Sequence, residues 1–520
     1  MSVRRRWVAL AGALCICAGA AQAGAFSRDS LVWKKCTECH EPRGGTIPRV
    51  EEIRTTPEEW AVIVDRMHRL HGMDLSAGEM DQLLKELCVT QILRPDEEQA
   101  VAYLRLFNNT QHQEAPNGKE EERLFATCVR CHSFGKIASY RMTKENWAKV
   151  RDFHLYMDPA IMFQMREMHW IQEADAVLAY LAKRFPYGEA WKAPRADLSG
   201  EWVVLGYEPG KGPYRGTARW ESKGGGDAAV SGTLRYSDGT SEVFRGTGTL
   251  YGGYALRTQT RHNGFETRGA FTLTGDRIQG EHHHPAPDFR TSTSTWYRND
   301  GKARVLRVTP GYLLPEEETR LVLEGMNLPE VAARDVTFGP DVEVLAARRL
   351  DPGAIEAVVV SHRTALGSAE VKVKGLDAGS VTLAPRVDYI AVTPAVGRAR
   401  LDGGPYYPPE GVQFEAVAYS NGSDVWDASD DVVLGPVPAR FHLEEEATRP
   451  GDDDLAWVGA IEPDGTYLPV GDYRPIPARE YSGEGSGWVK VVAEYARGGR
   501  EYRAEARLAV TVPDFIRRIK

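Results

Sequence analysis

One pentapeptide pattern occurs twice in this 520-residue chain. Cys36-Thr37-Glu38-Cys39-His40 comes first, and Cys128-Val129-Arg130-Cys131-His132 follows. Two thiols one helical turn apart can form thioethers to the two vinyl groups of one haem. The next residue then aims its imidazole at the iron. Each copy is read as a c-type haem attachment site, with His40 and His132 as proximal iron ligands. A zinc site made from the two Cys pairs competes, but it leaves both histidines without a task. A redox-active disulfide is a third option.

The sixth coordination position must come from elsewhere, and an internal repeat suggests where. After the first motif runs Pro57-Glu58-Glu59-Trp60-Ala61-Val62-Ile63-Val64-Asp65-Arg66-Met67-His68. After the second runs Lys144-Glu145-Asn146-Trp147-Ala148-Lys149-Val150-Arg151-Asp152-Phe153-His154. Aligning Trp60 with Trp147 also aligns Ala61 with Ala148 and Asp65 with Asp152, and sets Met67 opposite His154. Matching positions in a duplicated unit should do matching jobs. Thr56-Pro57-Glu58 starts a helix, and apolar residues follow at helical spacing. Met67 and His154 are therefore expected as the distal ligands of the first and second haem. His68, His71 and Met73 are rivals for the first; Met157, Met162, Met165, Met168 and His169 are rivals for the second. With these ligands both irons are six-coordinate, which argues against a haem peroxidase. Methionine ligation raises haem potential, so electrons entering at the His132/His154 haem would fall towards the His40/Met67 haem.

The flanking sequence says where such a domain works. Arg4, Arg5 and Arg6 precede an apolar run from Trp7 to about Ala20, and Ala21-Gln22-Ala23 supplies small residues before Gly24. This reads as a secretory signal peptide, 1–23, followed by a periplasmic chain with no membrane span. Cleavage would remove three arginines and no acid, taking the net charge from −9 to −12. It would also remove Cys15 and Cys17, leaving Cys88 as the one cysteine outside the two motifs, read as a buried free thiol. The acidic balance, 73 acids against 64 bases, gives no footprint for nucleic acid.

The helical pattern covers 24–192 as two units, about 24–110 and 111–192, and ends near Phe185-Pro186-Tyr187-Gly188. Beyond it the chain reads as three antiparallel β domains. Short strands such as Glu201–Leu205 and Gly216–Trp220 alternate with turn signals at Lys223–Gly226, Ser237–Gly239, Tyr251–Gly253, Asn263–Gly264 and Thr274–Asp276. This predicts an antiparallel β-barrel over 193–302. Alternation over 303–387 and 388–520 predicts two immunoglobulin-like sandwiches. The second opens on Ile390-Ala391-Val392-Thr393-Pro394, a phrase close to Val305–Pro310 in the first. His282-His283-His284 is expected in a surface loop. Asp452-Asp453-Asp454 and Glu444-Glu445-Glu446 are expected as solvated acidic loops. No phosphate-binding loop or nucleophile elbow is present.

This order resembles the alpha subunit of the quinohemoprotein amine dehydrogenases. The resemblance rests on the two C-x-x-C-H motifs, the Trp60/Met67 and Trp147/His154 repeat, and the β series opened by Asp197-Leu198-Ser199-Gly200-Glu201-Trp202. It implies a heterotrimer in the periplasm. A gamma subunit would carry a cysteine tryptophylquinone that oxidises primary amines to aldehyde and ammonia, and a beta subunit would be a propeller. Two covalently bound haem c groups on this chain would pass electrons to an external cytochrome or copper protein. Only Cys36, Cys39, His40, Met67, Cys128, Cys131, His132 and His154 map onto the family's haem roles, and no catalytic residue is expected here. A stand-alone dihaem cytochrome serving a different dehydrogenase is the alternative.

Overall fold

The computed structural model describes residues 26–105, 112–283, 291–404, 409–469 and 485–512. The expected leader 1–23, with Cys15 and Cys17, lies outside the described residues, and so does His284. No helix among the described residues is long and apolar enough to cross a membrane.

The N-terminal region is helical and built from two similar units. The first contains α1 (Leu31–Cys36), α2 (Pro57–His71), α3 (Ala77–Thr90) and the short α4 (Pro95–Gln99). The second contains α5 (Lys119–Thr127), α6 (Phe134–Ala138), α7 (Lys144–Met157), α8 (Ile161–Gln164) and α9 (Trp170–Arg184). The capping residues explain where the long helices start. The Thr56 hydroxyl accepts the Glu59 N–H at 3.3 Å, and Pro57 sits at the first helical position. Thr143 does the same for Asn146 at 3.3 Å. Such caps satisfy donors that a helix start leaves orphaned. α2 ends at Gly72, whose φ of 72° is the left-handed conformation that glycine adopts without strain.

The repeat is visible in three dimensions. β1 (Ile53–Arg54) pairs antiparallel with β2 (Arg141–Met142), setting Arg54 opposite Arg141. The Trp60 indole donates to the Gln91 carbonyl at 2.6 Å, just past α3. The Trp147 indole donates to the Phe185 carbonyl at 3.0 Å, just past α9. Each unit has its own apolar core, one around Trp60, Val64, Leu83 and Leu87, the other around Trp147, Val177, Leu178 and Leu181.

Eight strands then close into a barrel, each hydrogen-bonded to the next with the last returning to the first. They are β3 (Gly200–Glu208), β4 (Gly212–Gly224), β5 (Asp227–Tyr236), β6 (Ser241–Tyr251), β7 (Ala255–His262), β8 (Phe265–Thr274), β9 (Arg277–His283) and β10 (Thr291–Arg298). Every turn signal read from the sequence falls at a hairpin between these strands. Trp202, Tyr214, Trp220, Phe244, Phe271 and Trp296 fill the interior. Gly246 permits the close approach of two strands there: a Cβ on it would lie 2.1 Å from the Gln259 carbonyl oxygen.

The barrel holds the first helical unit in place. Arg257 on β7 reaches both Glu58 of α2 and Glu98 of α4. Lys85 pairs with Asp227 at 2.6 Å, and the Tyr254 hydroxyl donates to the Leu93 carbonyl at 2.6 Å. Cys88 is fully buried beside Tyr254 and Ala255 and unpaired, the buried free thiol that its position suggests.

Strands β11 (Arg304–Thr309), β12 (Tyr312–Leu313), β13 (Glu318–Met326), β14 (Val336–Thr337), β15 (Val342–Asp351), β16 (Ala354–Ser361), β17 (Gly367–Val373) and β18 (Leu376–Leu383) follow. They form two four-stranded sheets, β11-β13-β16-β15 and β12-β18-β17-β14, over one shared core. The last region has β19 (Tyr389–Thr393), β20 (Val396–Arg400), β21 (Val412–Gln413), β22 (Glu415–Ser420), β23 (Val432–Val437), β24 (Arg440–Glu445), β25 (Thr466–Tyr467), β26 (Gly487–Arg497) and β27 (Arg500–Thr511). Its main sheets are β19-β22-β23 and β20-β27-β26-β24.

Three expectations need correction. The two C-terminal regions are not purely antiparallel: β12 runs parallel to β18, and β20 parallel to β27. In each, the chain crosses from one sheet to the other at the repeated Val-Thr-Pro phrase and keeps its heading, so the next strand meets its new neighbour in parallel. His282 and His283 are not in a surface loop. They lie in β9 and are buried, His282 inside the barrel with its ring 5.1 Å from that of His262. Nor are the two acidic runs solvated loops: Glu444 and Glu445 lie in β24, where Glu444 pairs with Arg503. Asp454 is buried, accepts the Trp488 N–H at 2.8 Å and pairs with Arg449, which also meets Asp452.

Candidate dihaem site

α1 and α5 each deliver a cysteine pair at their C-terminal ends. In the first, the Cys39 and His40 N–H groups donate to the Cys36 carbonyl at 3.3 and 2.9 Å. In the second, Cys131 and His132 donate to the Cys128 carbonyl at 3.2 and 3.1 Å. The two motifs therefore share one turn, with the first cysteine half-buried and the second exposed. All four thiols are unpaired. Burial pushes the Cys36 thiol up to about 12, and it raises Cys128 as well. Both shifts run opposite to the lowering that marks the reactive thiolates of redox-active pairs. Among the described residues the four sulfurs do not gather into a four-thiolate centre.

The second site brings two predicted ligands together. His132 Nε2 and His154 Nε2 lie 3.4 Å apart, with ring planes at 86°. His154 Nδ1 donates to the Val150 carbonyl at 2.8 Å. That bond fixes the tautomer and leaves the Nε2 lone pair facing His132. Trp170 flanks His154 with ring centroids 6.4 Å apart. The sequence rivals are occupied elsewhere or turned outward. Met165 and Met168 pack with Ile161 and Trp170, and His169, Met157 and Met162 are exposed.

The first site matches the second in burial, with His40 and Met67 both half-buried. Met67 is half-buried on the stripe of α2 that includes Trp60 and Val64 and ends at His71. The His40 imidazole is held below its ordinary range, first by burial and then by the charges of Arg49 and His71. His71 is therefore within electrostatic reach of His40. Of the other rivals, His68 Nδ1 donates to the Met73 carbonyl at 2.8 Å, and Met73 packs against the core of its own unit. Two cysteine pairs on one shared turn, a histidine directly after each pair and a facing imidazole held by its Nδ1 bond are the donor set that haem c requires, so the residues present fit that group.

A buried ionic bridge joins the two units. Arg54, fully buried, binds Glu97 through two bonds of 2.6 and 3.0 Å, and Arg141 reaches the same carboxylate at 3.2 Å. Burial alone would raise the Glu97 pKa, but the Arg54 hydrogen bond and its neighbours hold it below the usual carboxylate range. A second bridge runs from Glu59 of α2 to Lys136 at 2.6 Å and to the Tyr140 hydroxyl at 2.6 Å. Sequence reading missed both. The signal was available: Arg54 and Arg141 each stand six residues before the repeat tryptophan.

Three family models match. Residues 26–191 match the haem-binding region of quinohemoprotein amine dehydrogenase A, alpha subunit. Residues 195–292 match domain II of that alpha subunit, and residues 390–519 match its domain IV. No curated protein matches the chain in sequence. Among solved structures it is similar to a redesigned β-barrel, mFAP1, bound to DFHBI, at 15% identity, covering 19% of this chain and 94% of that one, TM-score 0.19. It is also similar to InvD of Yersinia pseudotuberculosis, at 10% identity, covering 59% of this chain and 97% of that one, TM-score 0.14. At these scores the two likenesses bear on neither fold nor function. The matched segments cover most of the chain and fall on the helical region, the barrel and the last β region, so this chain belongs to the family of quinohemoprotein amine dehydrogenase alpha subunits.

Proposed function

We propose that this chain is the electron-transfer subunit of a periplasmic amine dehydrogenase. Cys36 and Cys39, with His40, would hold one haem c, and Cys128 and Cys131, with His132, the other. Met67 would help hold the first haem and His154 the second. The observation that carries the reading is the facing imidazole pair, His132 and His154, with the His154 tautomer already set by Val150. Bound haem supplies one-electron chemistry. This chain's residues orient the His154 imidazole towards His132 and hold the two units together through Arg54, Glu97 and Arg141.

The amine chemistry belongs to a partner. Oxidising RCH2NH2 with water gives RCHO, NH3, two protons and two electrons, and two haems can each accept one. A gamma subunit with a cysteine tryptophylquinone would deliver them, a beta propeller would complete the heterotrimer, and an external cytochrome or copper protein would receive them. The leader at 1–23 supports export. The native complex should resolve into three kinds of subunit, with two haems on this chain by mass and by haem staining. A single-polypeptide native protein would instead favour a stand-alone dihaem cytochrome.

A further inference from the structure

The connection between β22 and β23 presents an indole to solvent. Trp426 is 91% exposed, the most exposed large apolar side chain among the described residues, and its neighbour Val425 is also exposed. An aromatic ring left in water forgoes a large burial free energy. The connection is nonetheless well ordered by its own carboxylates. Asp424 accepts the N–H groups of Trp426 and Asp427 at 2.7 and 2.9 Å. Asp427 accepts that of Ser429 at 2.9 Å, and Asp430 that of Ser423 at 2.8 Å. Asp431 accepts the Gly422 N–H at 2.9 Å and the Tyr389 hydroxyl at 2.6 Å. Backbone pins on both sides hold Trp426 out, so little conformational freedom remains to be lost on binding.

Charge narrows what could cover it. Residues 421–431 carry four aspartates and no lysine or arginine. Their hydrogen bonds hold Asp424 and Asp427 below the usual carboxylate range, so both are ionised at neutral pH. Nucleic acid and anionic lipid are repelled by such a rim. A second copy meeting it head-on would set four aspartates against four. β23, which leaves the connection, is the edge strand of its sheet and exposes Val433.

We propose that Trp426 is the anchor through which this chain docks a companion subunit of the dehydrogenase assembly, whose matching face is an apolar pocket rimmed by lysine or arginine. Exposed aromatics on preset backbones act as such anchors, with acidic rims steering basic partners. The proposal rests on the reading that this chain works in a multisubunit amine dehydrogenase.

Hydroxyl-radical footprinting of the native complex tests it, read by mass spectrometry on the peptide containing Trp426. Oxidation of Trp426 should be at least ten-fold slower in the complex than in the isolated haem-loaded chain. Trp426→Ala, which removes no buried group, should weaken assembly at least ten-fold while the chain keeps both haems and its spectrum. Equal oxidation in the two samples would overturn the proposal. So would protection in the isolated chain running as a dimer, because the occupant would then be a second copy. Haem reduction by amine in the same sample reports separately on the underlying reading. A protected Trp426 in an assembly that amines do not reduce upholds the anchor and refutes the dehydrogenase.

Discussion

His132 Nε2 and His154 Nε2 face each other at 3.4 Å, and His154 is turned that way by its Nδ1 bond to Val150. The two residues come from different elements, the turn after α5 and the last turn of α7. Their meeting depends on Trp147, which anchors α7 against the Phe185 carbonyl. His154→Ala should leave one haem per chain with an open position. The reduced variant should bind CO rapidly at one equivalent per chain, whereas the parent binds none. A variant that excludes CO would place the ligand elsewhere.

The first site separates two side chains on one helical stripe. Met67→Ala should abolish the sulfur-to-iron charge-transfer band, and His71→Ala should leave it intact. Because methionine ligation raises haem potential, Met67→His should also lower the higher of the two midpoint potentials. A band that survives in Met67→Ala would remove Met67 from the site.

Glu97 is shared by Arg54 and Arg141, and Arg94 also reaches it. Glu97→Gln would leave two buried guanidinium groups undercompensated, at a cost of about 3–5 kcal/mol. Its pH dependence has a definite sign. The folded-state pKa lies below the unfolded value, so the stabilisation is fully present above about pH 4.3 and is lost as pH falls through the depressed value. Urea unfolding of the haem-loaded chain should show a gap between parent and variant that is wide at pH 7 and narrows below about pH 4. A gap that stays constant with pH would mean the charge of Glu97 does not contribute.

Local chemistry was legible in the sequence. The C-x-x-C-H turns, the Thr caps of α2 and α7 and the barrel hairpins all follow from residues close together in the chain. The repeat carried the reading further, because Trp60 and Trp147 make the same kind of bond to equivalent carbonyls. What depended on distant neighbours was not legible. Strand periodicity shows that two faces of β9 alternate, but not that the barrel interior receives His282. On the other face, Arg105 of the helical region acts on Glu281, which burial raises above its usual range. Similarly, β-pattern alone cannot show that a strand changes sheets at Thr309-Pro310 or Thr393-Pro394, which is what makes two pairings parallel. Nothing in the sequence near Glu97 shows that two arginines from opposite units converge on it.

The central claim is that electrons from an amine reach the haems of this chain. The native complex, oxidised and free of oxygen, should be mixed with one equivalent of a primary amine while the haem absorbance is followed. Both haems per chain should become reduced, with aldehyde and ammonia released in equal amounts. Haems that stay oxidised with amines, yet are reduced by dithionite, would contradict the account.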